Sequence, residues 1–232
     1  MLNYKKMPKV ELHLHLDGSV RPETAAKLLG IDIAEARKNM IADDKCLDLN
    51  DYLTKFFIPG EVMQTKKNLE LISEEIAADL EEDGVIYAEI RFAPLKHIFK
   101  GLSLDEVVES VLKGLAKKSL KTNLILCMMR GDKEEDNIKV VDLAERFLNR
   151  GVVALDLAGA ESIYKTIDYK NLFAYAKGKN IPFTIHAGEA DGKDSMKAAI
   201  DFGAKRLGHG VNAIFYEELL DEIRQKDILL EI

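Results

Sequence analysis

The chain has 232 residues, of which 47% are apolar and 31% charged, a composition of ordinary globular proteins and not of the disordered classes. Its 33 Lys and Arg against 40 Asp and Glu give a formal charge of −7, and no long basic block appears. That excludes a general nucleic-acid or anionic-membrane surface and favours a small neutral or cationic ligand.

No apolar run approaches the ~18 residues of a transmembrane helix. Met1–Lys9 carries lysines with no apolar stretch behind them to form a signal peptide. The two cysteines, Cys46 and Cys127, stand far apart, which suits a reducing cytoplasm better than a disulfide framework.

In chain order, short apolar or β-branched runs alternate with charged, helix-forming stretches, a pattern that predicts parallel strands joined by helices. The first strand is expected at Val10–His15. The segment between it and the second is too long for one crossover, and its patterning predicts helices at Arg21–Leu29, in a short piece after Asn50, and from about Glu61 to Asp83, where Gly84 ends the helix. The second strand is Val85–Phe92, with Val85, Tyr87, Glu89 and Arg91 on one face and Ile86, Ala88, Ile90 and Phe92 on the other. The all-apolar face is expected against helices and the charged face inward, where Glu89 and Arg91 must pair or reach a polar site.

Ser103 and Glu106 form a capping box opening a helix through Leu120. Further strands are expected at Asn123–Met129, Val152–Ala158, Pro182–Ala187, Arg206–His209 and Ile228–Ile232, with a helix from a cap within Asp191–Ser195 to Phe202. The later spacing approaches the ~30 residues per unit of a (β/α)8 barrel, a fold that usually takes ~250 residues. No tandem repeat or Gly, Pro or Ser-rich linker appears, so residues 1–232 are expected to form a single domain, with the segment 20–83 as a helical insertion.

Four of the five histidines, His13, His15, His186 and His209, fall at predicted strand ends, where a barrel gathers its active site. His97 lies in a loop after Pro94 and is expected to be solvated or locally hydrogen-bonded. His13 and His15 share one strand face, ~7 Å apart by backbone geometry, and two neutral imidazoles so placed can grip an ion such as Zn²⁺. His186 ends a later strand, and Gly188 lets the chain turn so that Glu189 comes back over the strand ends. His209 stands between Gly208 and Gly210, which permit close approach of a ligand.

The segment Met7–Ser19 (MPKVELHLHLDGS), with Asp156–Gly159 (DLAG), His186–Glu189 (HAGE) and Gly208–Gly210 (GHG) in that order, resembles the adenosine deaminases of the metal-dependent aminohydrolase group, through essentially the whole chain. Leu53–Phe57 is similar to the family's apolar substrate lid. The resemblance implies a TIM-type (β/α)8 barrel in which His13, His15 and His186 hold Zn²⁺, Glu189 protonates purine N1, and His209 orients or deprotonates the attacking water. It further implies that Asp17 contacts a ribose hydroxyl, that the Gly159 backbone contacts the purine, and that His15 touches ligand as well as metal. The implied reaction is hydrolysis of adenosine, and of 2′-deoxyadenosine, to inosine or its deoxy form plus ammonia in cytoplasmic purine salvage.

Adenine deaminases resemble the same pattern but tend to carry Glu at the position of Asp17, and the shorter carboxylate leaves room for a sugar, which favours adenosine over adenine. A His-x-His phosphoesterase would need more histidines than remain. The Pro-Cys-x-x-Cys signature of cytidine-type deaminases is absent. The family's Asp-Asp pair of the eighth strand has no match here. The chain stops at Ile232 inside the expected seventh strand, so the barrel is expected to lack the eighth βα unit and part of the seventh. A chain ending there is expected to bind metal weakly and deaminate poorly, as an inactive fragment, unless copies associate through the open barrel edges.

Overall fold

The computed structural model describes residue 4 and residues 7–232; most of the lysine-bearing Met1–Lys9 stretch therefore lies outside the described residues. The chain divides into two units, Met1–Leu124 and Ile125–Ile232.

In the first unit, β1 (Lys9–His15) pairs in parallel with β2 (Val85–Phe92), with Lys9 opposite Val85 and His15 opposite Arg91. The register is irregular between Glu11 and Leu14, where the Glu11 carboxylate accepts the His13 amide at 2.7 Å. Between the two strands run α1 (Pro22–Leu29), α2 (Ile33–Met40), α3 (Leu49–Leu53), α4 (Phe57–Val62) and α5 (Lys66–Glu82). Their ends follow local chemistry. Pro22 opens α1, whose missing N–H costs nothing there, and the side chains of Asp32, Asp48 and Thr65 accept from the first turns of α2, α3 and α5.

The expected single helix Glu61–Asp83 is two. Met63 leaves helical geometry, the Gln64 amide bonds the carbonyls of Gly60 and Lys96, Asn68 reaches back to the Val62 carbonyl at 2.8 Å, and Thr65 caps the new start. α6 (Leu104–Leu115) opens with the expected Ser103–Glu106 capping box but stops short of Leu120. The Glu81 carboxylate at the end of α5 takes the Ser119 hydroxyl at 2.6 Å and the Leu120 amide at 2.7 Å, drawing residues 119 and 120 out of helical geometry. α5 and α6 bury Leu69, Ile72, Ile76 and Leu80 with Val107, Val108, Val111 and Leu115, each worth ~1.5–3 kcal/mol when fully buried. The backbones meet so closely at Gly114 that a Cβ there would lie 2.3 Å from the Glu70 carbonyl oxygen. On β2, Ala88, Ile90 and Phe92 are buried as expected, whereas Ile86 near the strand's start is 60% exposed.

β3 (Lys121–Met129) begins in the first unit and ends in the second. There α7 (Glu134–Phe147), β4 (Val152–Ala158), α8 (Lys170–Gly178), β5 (Thr184–Ala187), α9 (Lys193–Phe202), β6 (Arg206–His209), α10 (Glu217–Gln225) and β7 (Leu229–Glu231) alternate. β3 lies beside β4, β4 touches the β5 segment through a parallel bridge at Leu155 and Phe183, and β5, β6 and β7 pair in parallel register, with His186 opposite Gly208 and Gly208 opposite Glu231. Leu124, Leu126, Leu155, Leu157, Ile185 and Leu207 are fully buried, as both-face burial of parallel strands requires. The expected cap within Asp191–Ser195 does not form. Gly192 stands at the start of α9 without a side-chain cap, because the Asp191 carboxylate takes the Gly192 amide and Lys165 while the Ser195 hydroxyl is drawn to Glu161.

Candidate active site

The first unit presents His13, His15 and Asp17. Alternation along β1 puts both imidazoles on one face, with ring centroids 5.5 Å apart and planes tilted by 53°. Asp17 follows in a short 3-10 turn, Asp17–Ser19. Its side chain is largely buried, and its Oδ1 is buried with no hydrogen-bond partner among the described residues. Burial pushes the Asp17 carboxyl up to about 6, against the lowering pull of its own and the Gly18 amide.

Phe56 covers this corner. Its ring meets His15 edge-on at 6.4 Å and Tyr52 at 5.7 Å, and a Cβ on Gly18 would touch it at 3.2 Å. Within the expected lid segment Leu53–Phe57, Phe56 thus packs on a site residue while Phe57 is 76% exposed.

His97 corrects an expectation. It is fully buried, because the 3-10 turn Pro94–His97 folds its ring onto Phe92 at 5.8 Å and brings Nε2 to 3.9 Å from Asp17 Oδ2. Burial lowers its pKa to about 4, so at neutral pH it offers Asp17 no full positive charge.

On β2, Arg91 is buried and its guanidinium donates to the Leu12 carbonyl at 2.6 Å, while Tyr87 donates to Glu89 at 2.7 Å. Both charges of the expected inward face thus reach polar partners.

The second unit presents Asp156, Gly159, His186, Glu189 and His209. His186, ending β5, sets Nδ1 2.8 Å from Asp156 Oδ2 on β4. A carboxylate against one imidazole nitrogen fixes the ring and leaves the other to a ligand, the arrangement that metal-ligating histidines use. The His209 ring lies 5.1 Å from the His186 ring, and its Nε2 is 3.6 Å from Glu189 Oε1.

The backbone around these groups is left-handed at Gly159, Gly188, His209 and Gly210. For His209 this is a conformation that non-glycine residues adopt at a cost and that clusters at functional sites. Burial raises the Glu189 pKa; the carboxylates of Glu161 and Asp156 act in the same direction, while His186 and Arg130 oppose them. A carboxyl so held keeps its proton to higher pH, as an acid catalyst needs.

Two groups here had escaped the sequence reading. Arg130, just past β3, donates to the His186 carbonyl at 2.7 Å, and Glu161, just past β4, accepts the amides of the Glu189 turn. Their signal was position alone, since both lie just past strand ends, where a barrel gathers its active site.

Residues 8–232 match the family described as adenosine deaminase. The chain belongs to the adenosine deaminase family. Adenosine deaminase of Enterococcus faecalis is 38% identical over 98% of this chain and 71% of that protein. The crystal structure of Arabidopsis ADAL complexed with GMP superposes with a TM-score of 0.85 at 26% identity, over 98% of this chain and 71% of that one. A Burkholderia ambifaria amidohydrolase crystallised with bound Zn gives a TM-score of 0.88 at 20% identity, over 98% and 65%, and speaks for the fold alone. The alternating parallel order is that of the TIM-type (β/α)8 class, with seven strands among the described residues.

The donor set fits the divalent metal that the family implies, with imidazoles in place of hard oxygen ligands and a carboxylate behind His186. Both cysteines are free thiols. Among the described residues no helix is long and apolar enough to cross a membrane.

Proposed function

We propose that this protein hydrolyses adenosine, and 2′-deoxyadenosine, to the inosine product and ammonia, serving purine salvage in the cytoplasm, with residues 1–232 working as one metal-dependent hydrolase domain and the segment 20–83 as its substrate lid. The observation that carries the reading is the second-unit constellation, in which a carboxyl raised by burial stands 3.6 Å from an imidazole and beside a histidine backed by Asp156. His13, His15 and His186 would hold one divalent ion, with zinc as the expected species. When bound, that ion activates water as a nucleophile at neutral pH.

The chain's own residues would do the rest. Glu189 gives its proton to purine N1, which withdraws electrons from C6 as that carbon becomes tetrahedral. His209 orients the attacking water and takes up its proton, and the charged imidazole stabilises the developing oxyanion. It then hands that proton to the exocyclic amino group, so that the C6–N bond breaks and ammonia leaves. Asp17, with a buried carboxylate oxygen lacking a partner among the described residues, accepts a ribose hydroxyl. The backbone of Gly159, held left-handed at φ +103° with Met129 and Arg130 on the side a Cβ would take, contacts the purine edge. His15 touches the ligand as well as the metal, and Phe56 beside it supplies apolar cover.

The test is conversion of adenosine to inosine, followed by the ultraviolet shift, against adenine as competitor substrate, with metal analysis of the same sample. It is run on this chain and on one extended over the remaining length of its relatives. The reading expects adenosine to be preferred. Turnover of adenine with adenosine left unused would replace it with an adenine deaminase, the sugar then having no place at Asp17.

A further inference from the structure

Glu161 is fully buried, yet its carboxylate oxygens face a row of backbone amides. Oε1 accepts the Gly188 amide at 2.7 Å together with the Ser195 hydroxyl. Oε2 accepts the amides of Glu189 at 3.0 Å, Ala190 at 2.7 Å and Asp191 at 3.1 Å. Four consecutive N–H groups converging on one point make an anion-binding concavity, and here the chain fills it with its own side chain.

The network continues inward. Ser195 shares a 2.6 Å hydrogen bond with Thr166, and Arg130 donates to Thr166 at 2.9 Å, to the Tyr164 carbonyl at 2.8 Å and to the His186 carbonyl at 2.7 Å. Thr166 and Ser195 are buried with it. The segment from His186 to Asp191 is thereby held from behind at its first carbonyl and at four amides. The Glu189 side chain itself remains partly exposed toward His209.

A left-handed Gly188 and a turn of this tightness could be satisfied by water alone, at no cost in buried charge. Burying a carboxylate is expensive unless several donors meet it. The expense has one evident return, which is a single conformation for the turn that carries Glu189.

We propose that Glu161 is a positioning residue: by gathering the amides of residues 188–191 it fixes where the Glu189 carboxyl stands, keyed through Ser195, Thr166 and Arg130 to the backbone of His186. This inference rests on the reading of Glu189 as the proton donor.

The test is Glu161→Gln, which keeps the volume but replaces one acceptor oxygen by an NH₂ that cannot accept from an amide. The milder Ser195→Ala removes a single donor. Amide hydrogen exchange of 188–191 is read against β6, alongside kcat, KM and zinc content for adenosine turnover.

For Glu161→Gln, exchange in 188–191 is expected to rise roughly 10- to 100-fold, the equivalent of one lost charge-assisted bond. The kcat is expected to fall about 100-fold, as misplacement by an ångström does, with KM and zinc content nearly unchanged. Ser195→Ala should show the same pattern in smaller measure, and it decides the question if Glu161→Gln does not fold.

A lowered melting temperature with unchanged kcat per folded molecule, or exchange rising equally in β6 and in 188–191, overturns the proposal. If the unaltered chain fails to turn over adenosine, the deaminase reading falls on its own. Local exchange then still decides whether Glu161 fixes the turn.

Discussion

Replacing Gly188 by Ala should destabilise the protein by about 2–5 kcal/mol, from two separable causes. Gly188 has φ +79°, a conformation that costs an L-residue ~1–2 kcal/mol. A Cβ there would also stand 2.4 Å from Met196 Sδ and 2.8 Å from Met196 Cγ. Met196 is fully buried, so its side chain has nowhere to retreat, and overpacking of this kind adds ~1–3 kcal/mol. Gly188 cannot shift to relieve the clash without breaking its amide bond to Glu161 at 2.7 Å and its carbonyl bond from the Asn212 amide at 3.1 Å. Urea denaturation of Gly188→Ala, Met196→Ala and the double variant separates the causes. In the Met196→Ala background the steric part should vanish and only the ~1–2 kcal/mol conformational part remain. A cost for Gly188→Ala that is the same in both backgrounds, or below about 0.5 kcal/mol in the first, as for an innocuous surface change, would refute the reasoning.

Other outcomes follow from the same structure. In chelator-treated protein, Asp17→Asn should stabilise above pH 6 by about 3 kcal/mol, because a carboxyl raised from 3.8 to about 6 by burial makes stability fall as pH rises through that interval. Denaturation at pH 5 and pH 8 checks it, and a gain that does not shrink at the lower pH contradicts it. Glu189→Gln should lower kcat by about 100-fold or more, and in the unaltered protein the rate should fall as pH rises past the raised Glu189 pKa, since the acid form is then lost. Near-normal turnover of the variant would remove Glu189 from the mechanism. Zn²⁺ at a hundred times its Kd should raise stability by about 2.7 kcal/mol over chelated protein, seen as a reversible rise in melting temperature that is smaller in His186→Ala. Gly114→Ala should loosen α5 from α6 by about 1–3 kcal/mol, because a Cβ there would lie 2.3 Å from the Glu70 carbonyl; a neutral result in thermal melts counts against that close approach.

Much of the architecture was legible because short strand segments alternate with charged, helix-forming stretches. Val85–Phe92, Val152–Ala158 and Arg206–His209 have the expected limits. The breaks were not legible. Periodicity runs through Met63–Thr65, and the break between α4 and α5 is made by side-chain bonds to backbone, from Gln64 to the Lys96 carbonyl, from Asn68 to the Val62 carbonyl and at the Thr65 cap. The capping box of α6 is a local device and was visible in Ser103 and Glu106, whereas residues 119 and 120, which the sequence pattern keeps in the helix, are held outside it by Glu81, which is distant in sequence.

The sequence by itself determined the chemistry on offer: three histidines of metal-ligand type, a carboxylate after a glycine turn, a histidine between glycines, and the family to which their order belongs. Tertiary structure alone decided the environment of each. His97, expected to be solvated or locally hydrogen-bonded in a loop, lies wholly buried beside Asp17, since burial depends on what else packs there. Glu161, which no sequence motif singles out, binds four amides lying 27 to 30 residues further along the chain. Residue type fixes what a group can donate, accept or ligate, but only the packed fold sets the solvent, the distance and the partner that turn this capacity into a shifted pKa or an immobile turn.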